Sequence, residues 1–173
     1  MDFNITKDLI LPEIMLIKPS CFSDNRGIIF TTYRDQDFIS LGLPVFRHDK
    51  IVISKSRVLR GIHGDHKTYK LVSCVSGSVE QVVVDCRRES KNYKKWTKYN
   101  LKSERGDSIL IPPGFGNGFL VTSKDPAIYN YKLSYEGKYL DADDQFTYKW
   151  NDESIGINWS TSDPILSIRD GGK

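Results

Sequence analysis

The chain has no uninterrupted apolar run near the ~20 residues that a membrane-spanning helix needs. Its opening, MDFNITKDLILPEIMLIKPS, is broken by Asp8, Pro12 and Glu13, so a signal peptide is not expected. Histidine is scarce, with only His48, His63 and His66. A first-row metal site wants two or three imidazoles and a carboxylate, near in sequence and again on a later strand. The later segment Pro113-Gly114-Phe115-Gly116-Asn117-Gly118-Phe119 offers Asn117 and no imidazole, so no metal is expected. Cysteine is scarce too. Cys21, Cys74 and Cys86 are odd in number and form no CxxC, which speaks for free thiols, a reducing compartment and a cytoplasmic address. No GxSxG marks a nucleophile, and no GxxxxGK or GxGxxG marks a phosphate or dinucleotide loop. A net charge of +3 is too small to argue for nucleic acid and suits an anionic small ligand. The basic residues are not interleaved with aromatics as an RNA surface requires. Internal repeats and low-complexity segments are absent as well.

What remains is a soluble globular composition, 39% hydrophobic and 27% charged over 173 residues, of a size for one domain spanning 1–173. Short strand-like runs follow one another between Gly and Pro turns, with almost no amphipathic helix. Residues 9–17 read as an edge strand interrupted by Pro12. Strands are expected at 28–33, 51–54, 96–101, 108–111, 119–122 and 127–133, with one or two helical turns within 36–43. Residues 87–95 read as a solvated basic loop and 140–155 as a polar loop, with Asp152 a candidate helix cap. The end, from Trp159, is largely irregular. The pattern predicts an all-β, jelly-roll, cupin-like double-stranded barrel with a few short helices, open at a mouth that admits a small ligand.

The stretch from Val58 to Asp85 holds most of the chemistry. Arg60-Gly61-Ile62-His63 leads through a polar turn to Lys70, and the Val-rich runs 70–75 and 79–84 flank Ser76-Gly77-Ser78 as an antiparallel hairpin would. His63 reads either as a structural imidazole in an apolar strand or, in the company of Arg60 and Lys70, as a base. Arg26 and Arg60 read either as surface residues or, with Lys70, as holders of a diphosphate, whose oxygens a guanidinium fork matches. Alternation places Tyr129, Tyr131 and Leu133 on one face of a strand and Ile128, Asn130 and Lys132 on the other. Spacing alone promotes neither tyrosine.

Taken in order, a set of segments carries a likeness. They are Asp24-Asn25-Arg26-Gly27, Val58-Leu59-Arg60-Gly61-Ile62-His63, Lys70-Leu71-Val72, Val84-Asp85-Cys86-Arg87 and Ile111-Pro112-Pro113-Gly114-Phe115. Tyr129 with Tyr135 six residues on, Trp150-Asn151-Asp152 and Leu166-Ser167-Ile168-Arg169-Asp170 complete it. Over roughly residues 20–170 the chain resembles the dTDP-4-dehydrorhamnose 3,5-epimerase family, cofactor-free cupin-type enzymes acting on nucleotide-linked 4-keto sugars. The resemblance implies His63 as general base oriented by Asp170, Tyr129 as the acid across the sugar ring, and Lys70 as the stabiliser of the enolate oxygen. It also implies Arg26 and Arg60 as a diphosphate clamp, Asn117 and Tyr135 as substrate-binding residues, no cofactor, and a homodimer with exchanged N-terminal strands. Asn117 stands where the family usually has His, Gln81 where it often has Asp, and Thr31 where a Glu helps read thymine. The Gly-Ile-His-Gly-Asp and Gly-Asn-Gly variants look similar to epimerases of bacterial capsule heptose pathways. They point to surface-polysaccharide biosynthesis and to a GDP-linked 4-keto heptose, with inversion at C3, C5 or both. Two other readings stand beside this one: a nucleotide-sugar ketoisomerase of the same fold, and a non-catalytic sugar-binding module.

Overall fold

Successive side chains of a strand point to opposite faces, so a chain of short strands buries its apolar faces by stacking sheets. A computed structural model of the chain, which describes residues 2–137 and 145–172, has this architecture. The N-terminal elements are β1 (Phe3–Lys7), β2 (Met15–Pro19), β3 (Cys21–Asp24), β4 (Gly27–Phe30), α1 (Asp35–Ser40) and β5 (His48–Ser54). The central ones are β6 (Leu59–Gly64), β7 (Lys70–Ser76), β8 (Ser78–Asp85) and β9 (Trp96–Lys102). Then follow β10 (Ser108–Ile111), β11 (Phe115–Val121), β12 (Ala127–Leu133) and β13 (Phe146–Thr147). Six strands form one sheet in the order β1-β2-β10-β7-β12-β5, and five form another in the order β13-β6-β11-β8-β9. β3 and β4 make a separate two-stranded ribbon. The expected all-β jelly roll is the fold observed.

The core lies between the sheets. Val72 and Cys74 of β7, Ile109 of β10 and Tyr129 of β12 pack against Val79 and Val83 of β8 and Phe115 and Phe119 of β11. Each fully buried Val, Ile or Phe of this set contributes roughly 1.5–3 kcal/mol. The outer faces are covered too. Phe38 of α1 packs on Ile17, Leu71 and Leu110. On the far side Ile155 and Trp159 lie against Leu59, Val82, Val84 and Leu120, and Trp159 Nε1 donates to Trp150 O at 2.9 Å. This C-terminal segment runs back over the five-stranded sheet and ends in a short 3-10 turn, Ile168–Asp170, beside β6. Among the described residues no helix is long and apolar enough to cross a membrane. All three cysteines are free, and burial pushes the Cys74 thiol up to about 11 and the Cys86 thiol up to about 12.

Several expectations are corrected. The runs 70–75 and 79–84 are not a hairpin: β7 lies between β10 and β12, and β8 between β11 and β9, in different sheets. Only Gly77 separates them, too short a link for a two-residue hairpin turn. Gly77, at φ +78°, carries the chain over the corner, where a Cβ would meet Ser123 Oγ at 2.6 Å. Residues 9–17 are a strand only from Met15 on. Before it, Asp8 Oδ1 accepts the N–H groups of Ile10 and Leu11 and holds a turn. β1, unrecognised in the sequence, pairs with β2. The strand expected over 28–33 ends at Phe30, β5 begins at His48, and β11 begins at Phe115. Of the loop expected over 140–155, residues 140–144 lie outside the described residues, and Phe146–Thr147 pair with β6. Asp152 caps no helix; its Oδ1 accepts Ser154 N–H in a turn.

The loop after β8 is solvated along much of its length but anchored at its start. Asp85, 0% exposed, accepts Arg87 Nε at 2.9 Å, Arg87 Nη2 at 2.7 Å and Ser90 Oγ at 2.6 Å. Burial alone would raise its carboxyl, and the Arg87 and Ser90 donors outweigh burial and hold it below the ordinary Asp value of 3.8. Removing one partner of such a pair costs about 3 kcal/mol. Asp85→Asn is therefore expected to lower unfolding stability by about that much at neutral pH. Because the folded carboxyl is depressed, this contribution is present above the ordinary Asp range and lost as pH falls through the folded value. Urea unfolding of both proteins at pH 7 and near pH 3 checks this; the gap should narrow in acid.

Candidate active site

Inner-face positions at one end of the sandwich are polar where the rest are apolar. β7 reads Lys70, Val72, Cys74 toward the inside, β12 reads Ala127, Tyr129, Tyr131, Leu133, and β11 reads Phe115, Asn117, Phe119, Val121. Strict alternation along β6 would put Arg60 and His63 on opposite faces. Its register against β11 shifts, however, with Asn117 opposite His63 and Phe119 opposite Arg60, so β6 carries one extra residue. Both side chains then face the same space. The bulge requires close backbone approach: a Cβ on Gly61 would lie 2.5 Å from Gly118 Cα.

The result is a cavity of about 250 Å³. Arg60, His63, Lys70, Asn117, Tyr129 and Asp170 all line it. Phe119, Tyr131 and Leu133 supply apolar wall. Arg26 and Tyr135 do not line it. Arg26 is exposed at the β3–β4 turn and paired to Asp24 at 2.6 Å, and half-buried Tyr135 lies beside His48, ring centroids 6.5 Å apart. His66 packs beside Phe146, ring centroids 5.1 Å apart and the planes tilted by 47°. Among the described residues no group of three His, Cys, Asp or Glu converges as a metal site would require.

His63 Nε2 lies 2.8 Å from Asp170 Oδ1. Nε2 faces that buried oxygen, and the imidazole is the strongest of the groups that favour the ionised carboxylate. Asp170 Oδ2 accepts Ser167 Oγ at 2.8 Å. Burial would raise the Asp170 carboxyl, but His63 and Ser167 outweigh it and hold the group below the ordinary Asp value. It therefore stays ionised at neutral pH and favours a proton on Nε2. The other nitrogen, Nδ1, sits 3.1 Å from Thr147 Oγ1, which itself accepts from Arg169 Nη2 at 3.0 Å.

Lys70 is 6% exposed. Its Nζ donates to Asn117 Oδ1 at 3.3 Å and His63 O at 3.5 Å, and lies 3.9 Å from Asp65 Oδ2. A buried ammonium needs such partners. Arg60 Nε donates to the buried Ser54 Oγ at 3.0 Å, which holds the guanidinium at the cavity wall. Tyr129 is 1% exposed and stacked on Phe119 at 4.1 Å and 15°. Burial pushes its phenol well above the ordinary value, with Tyr131 and Cys74 adding to the effect and Asn117 opposing it. The phenol is thus protonated at neutral pH. Arg60, Lys70 and Arg169 against Asp170 leave the cavity wall positive, as an anionic ligand requires.

Three further residues belong to the site, none of them assigned a role from the sequence, though Gln81 was noted there as a departure from the family. Arg169 and Thr147 flank the imidazole, and Gln81 accepts the Tyr129 hydroxyl at 2.5 Å. Gln81 had a signal, an amide on the dry face between Val79 and Val83. Thr147 had none, because its neighbourhood depends on β13 pairing with β6.

A cupin-type barrel with an imidazole–carboxylate pair, an ammonium and a phenol around one positive cavity carries the groups that enzymes of the acid–base class use. A profile of the dTDP-4-dehydrorhamnose 3,5-epimerase family matches residues 8–173, and the chain belongs to that family and is an isomerase. It is 39% identical over 166 residues to the dTDP-4-dehydrorhamnose 3,5-epimerase of Salmonella typhimurium strain LT2, covering 92% of this chain and 88% of that one. Its fold is similar to dTDP-6-deoxy-D-glucose-3,5-epimerase from Legionella pneumophila in complex with dTDP-4-keto-L-rhamnose. That match has TM-score 0.89 and 29% identity over 98% of this chain and 90% of that one. It is also similar to a 3'-monoepimerase from Streptomyces bikiniensis in complex with dTDP-quinovose, at TM-score 0.87 and 27% identity over 96% and 85% of the two chains.

Proposed function

We propose that the cavity binds a nucleotide-diphosphate-linked 4-keto sugar and inverts C3, C5 or both by proton removal and return. The observation that carries this reading is the convergence of His63, Lys70 and Tyr129 on one cavity. A ketone at C4 makes the hydrogens on C3 and C5 removable, because the carbanion delocalises onto oxygen. Asp170 takes the Nε2–H of His63, so the lone pair that accepts the sugar proton is on Nδ1, with Thr147 giving way to substrate. Lys70 meets the developing oxyanion, and Tyr129 returns a proton from the opposite face. Positioned acid and base are each worth about 10²–10⁴-fold, and an oxyanion donor about 10²–10³-fold.

Arg60 and Arg169 are proposed to hold the diphosphate at the cavity wall. Arg60→Ala is expected to weaken nucleotide-sugar affinity about 10–100-fold, the loss of one charge-assisted contact. Titration calorimetry with the nucleoside diphosphate checks this, and an unchanged affinity would make Arg60 a scaffold residue.

The relatives named above carry dTDP in their names or bound ligands. For this chain the departures at Thr31, Gln81 and Asn117 favour a different nucleotide sugar, and a GDP-linked 4-keto heptose of surface-polysaccharide biosynthesis is proposed. A homodimer is proposed as well. The β3–β4 ribbon exposes Phe22, Ile28 and Ile29 and carries Arg26 at its turn, as an arm that completes the cavity of a second copy would. Light scattering should give twice the chain mass. The free cysteines accord with the cytoplasm, where such substrates are made.

A panel of dTDP-, GDP- and CDP-linked 4-keto sugars in heavy water, followed by NMR, tests the function. Deuterium at C3 or C5 with inversion is expected for one nucleotide. Migration of the ketone would make the protein an isomerase of a different bond, and binding without exchange would make it a sugar-binding module.

A further inference from the structure

The inner face of β8 reads Val79, Gln81, Val83, and the two valines are core. Gln81 between them is 0% exposed. A buried amide costs roughly 1–3 kcal/mol unless both its halves are hydrogen-bonded, and here both are. Oε1 accepts the Tyr129 hydroxyl at 2.5 Å, and Nε2 donates to Val82 O at 2.9 Å. Asn117 Oδ1 accepts Lys70 Nζ at 3.3 Å, and the same side chain eases ionisation of the Tyr129 phenol against the effect of burial. The hydrogen of that phenol goes to Gln81 Oε1.

We infer that Gln81 is a positioning residue for Tyr129, fixing the phenolic oxygen at the cavity wall so that its proton is delivered from one place when a carbanion forms. An amide suits this task because it accepts the hydroxyl's hydrogen bond without competing for the proton. When the sugar carbon takes the proton, the O–H bond breaks, the new C–H bond forms, and the charge stays on the phenolic oxygen. Water later restores the phenol, while His63 releases the proton it removed. Without Gln81 the hydroxyl loses its fixed place. Return of the proton from His63 to the original face then competes better with delivery from Tyr129. The inference rests on the reading of Tyr129 as the acid.

The test is partition in heavy water on the full-length enzyme with its 4-keto nucleotide sugar. It compares deuterium in uninverted, returned substrate with deuterium in inverted product. Gln81→Met keeps length and removes both polar atoms, with Gln81→Leu in reserve if the first misfolds. The expected result is a shift of about tenfold or more toward exchange without inversion, with KM unchanged and total exchange within about threefold of wild type. Gln81→Glu is the rescue. A carboxyl sealed in this core is driven neutral, so its C=O accepts from Tyr129 and its O–H donates to Val82 O, and the wild-type partition should return. In a Tyr129→Phe background Gln81→Met should change nothing further. An unchanged partition in Gln81→Met, or equal losses of exchange and inversion, would overturn the inference and leave Gln81 a packing residue. A wild-type enzyme that exchanges no deuterium with any sugar would instead bring down the proposed function and this role with it.

Discussion

His63→Asn is expected to lower solvent exchange at both C3 and C5 by about 10³-fold or more while leaving the fold in place. Imidazole is the group in this cavity with a lone pair held by an adjacent carboxylate, 2.8 Å from Nε2 to Asp170 Oδ1. Asparagine keeps a polar side chain that can donate to Asp170, so the buried carboxylate is not stranded. It has no basic nitrogen, so abstraction falls to water. The imidazole side chain is 17% exposed and stands at the cavity rather than in the core, so the melting temperature should move little. Exchange at the wild-type rate would remove the assigned base outright.

Tyr129→Phe should separate the two halves of the reaction. Inversion is expected to fall about 10²–10⁴-fold, and exchange by His63 much less, because the base and Lys70 are untouched. Stability should fall too. Phenylalanine keeps the stack on Phe119 but leaves Gln81 Oε1 buried without its donor, a loss of about 1–3 kcal/mol. Deuterium counting by NMR on returned substrate and product, beside urea unfolding, reads both effects. Full inversion at the wild-type rate would give the acid role to another group.

The architecture was legible in the sequence because short β-branched runs between Gly and Pro turns have one stable solution, two stacked sheets. Pairing was less legible. Period two tells which face a residue takes but not which strand lies beside it, so the valine runs around Gly77 suggested a hairpin where the chain crosses between sheets. The one-residue bulge in β6 shows the same limit from the other side. It brings Arg60 and His63 together against strict alternation, and it depends on the Gly61–Gly118 contact, which only tertiary structure supplies. Asp170 lies 107 positions beyond His63 in the chain and was found through the family likeness rather than through any local pattern. Tyr135 came from the same likeness and Arg26 from its place in a turn as well, and within one chain both stay outside the cavity. Thr147 fell in the stretch read as a polar loop and Arg169 in the irregular end, and nothing local distinguished either from solvated residues.

A crystal structure of the His63→Asn enzyme with a bound nucleotide-linked 4-keto sugar would bear most directly on the whole account. The hexose or heptose ring should lie edge-on between residue 63 and the Tyr129 hydroxyl, one on each face, with the C4 oxygen about 3 Å from Lys70 Nζ. A ring lying outside this cavity, or one with residues 63 and 129 on the same face, would contradict it.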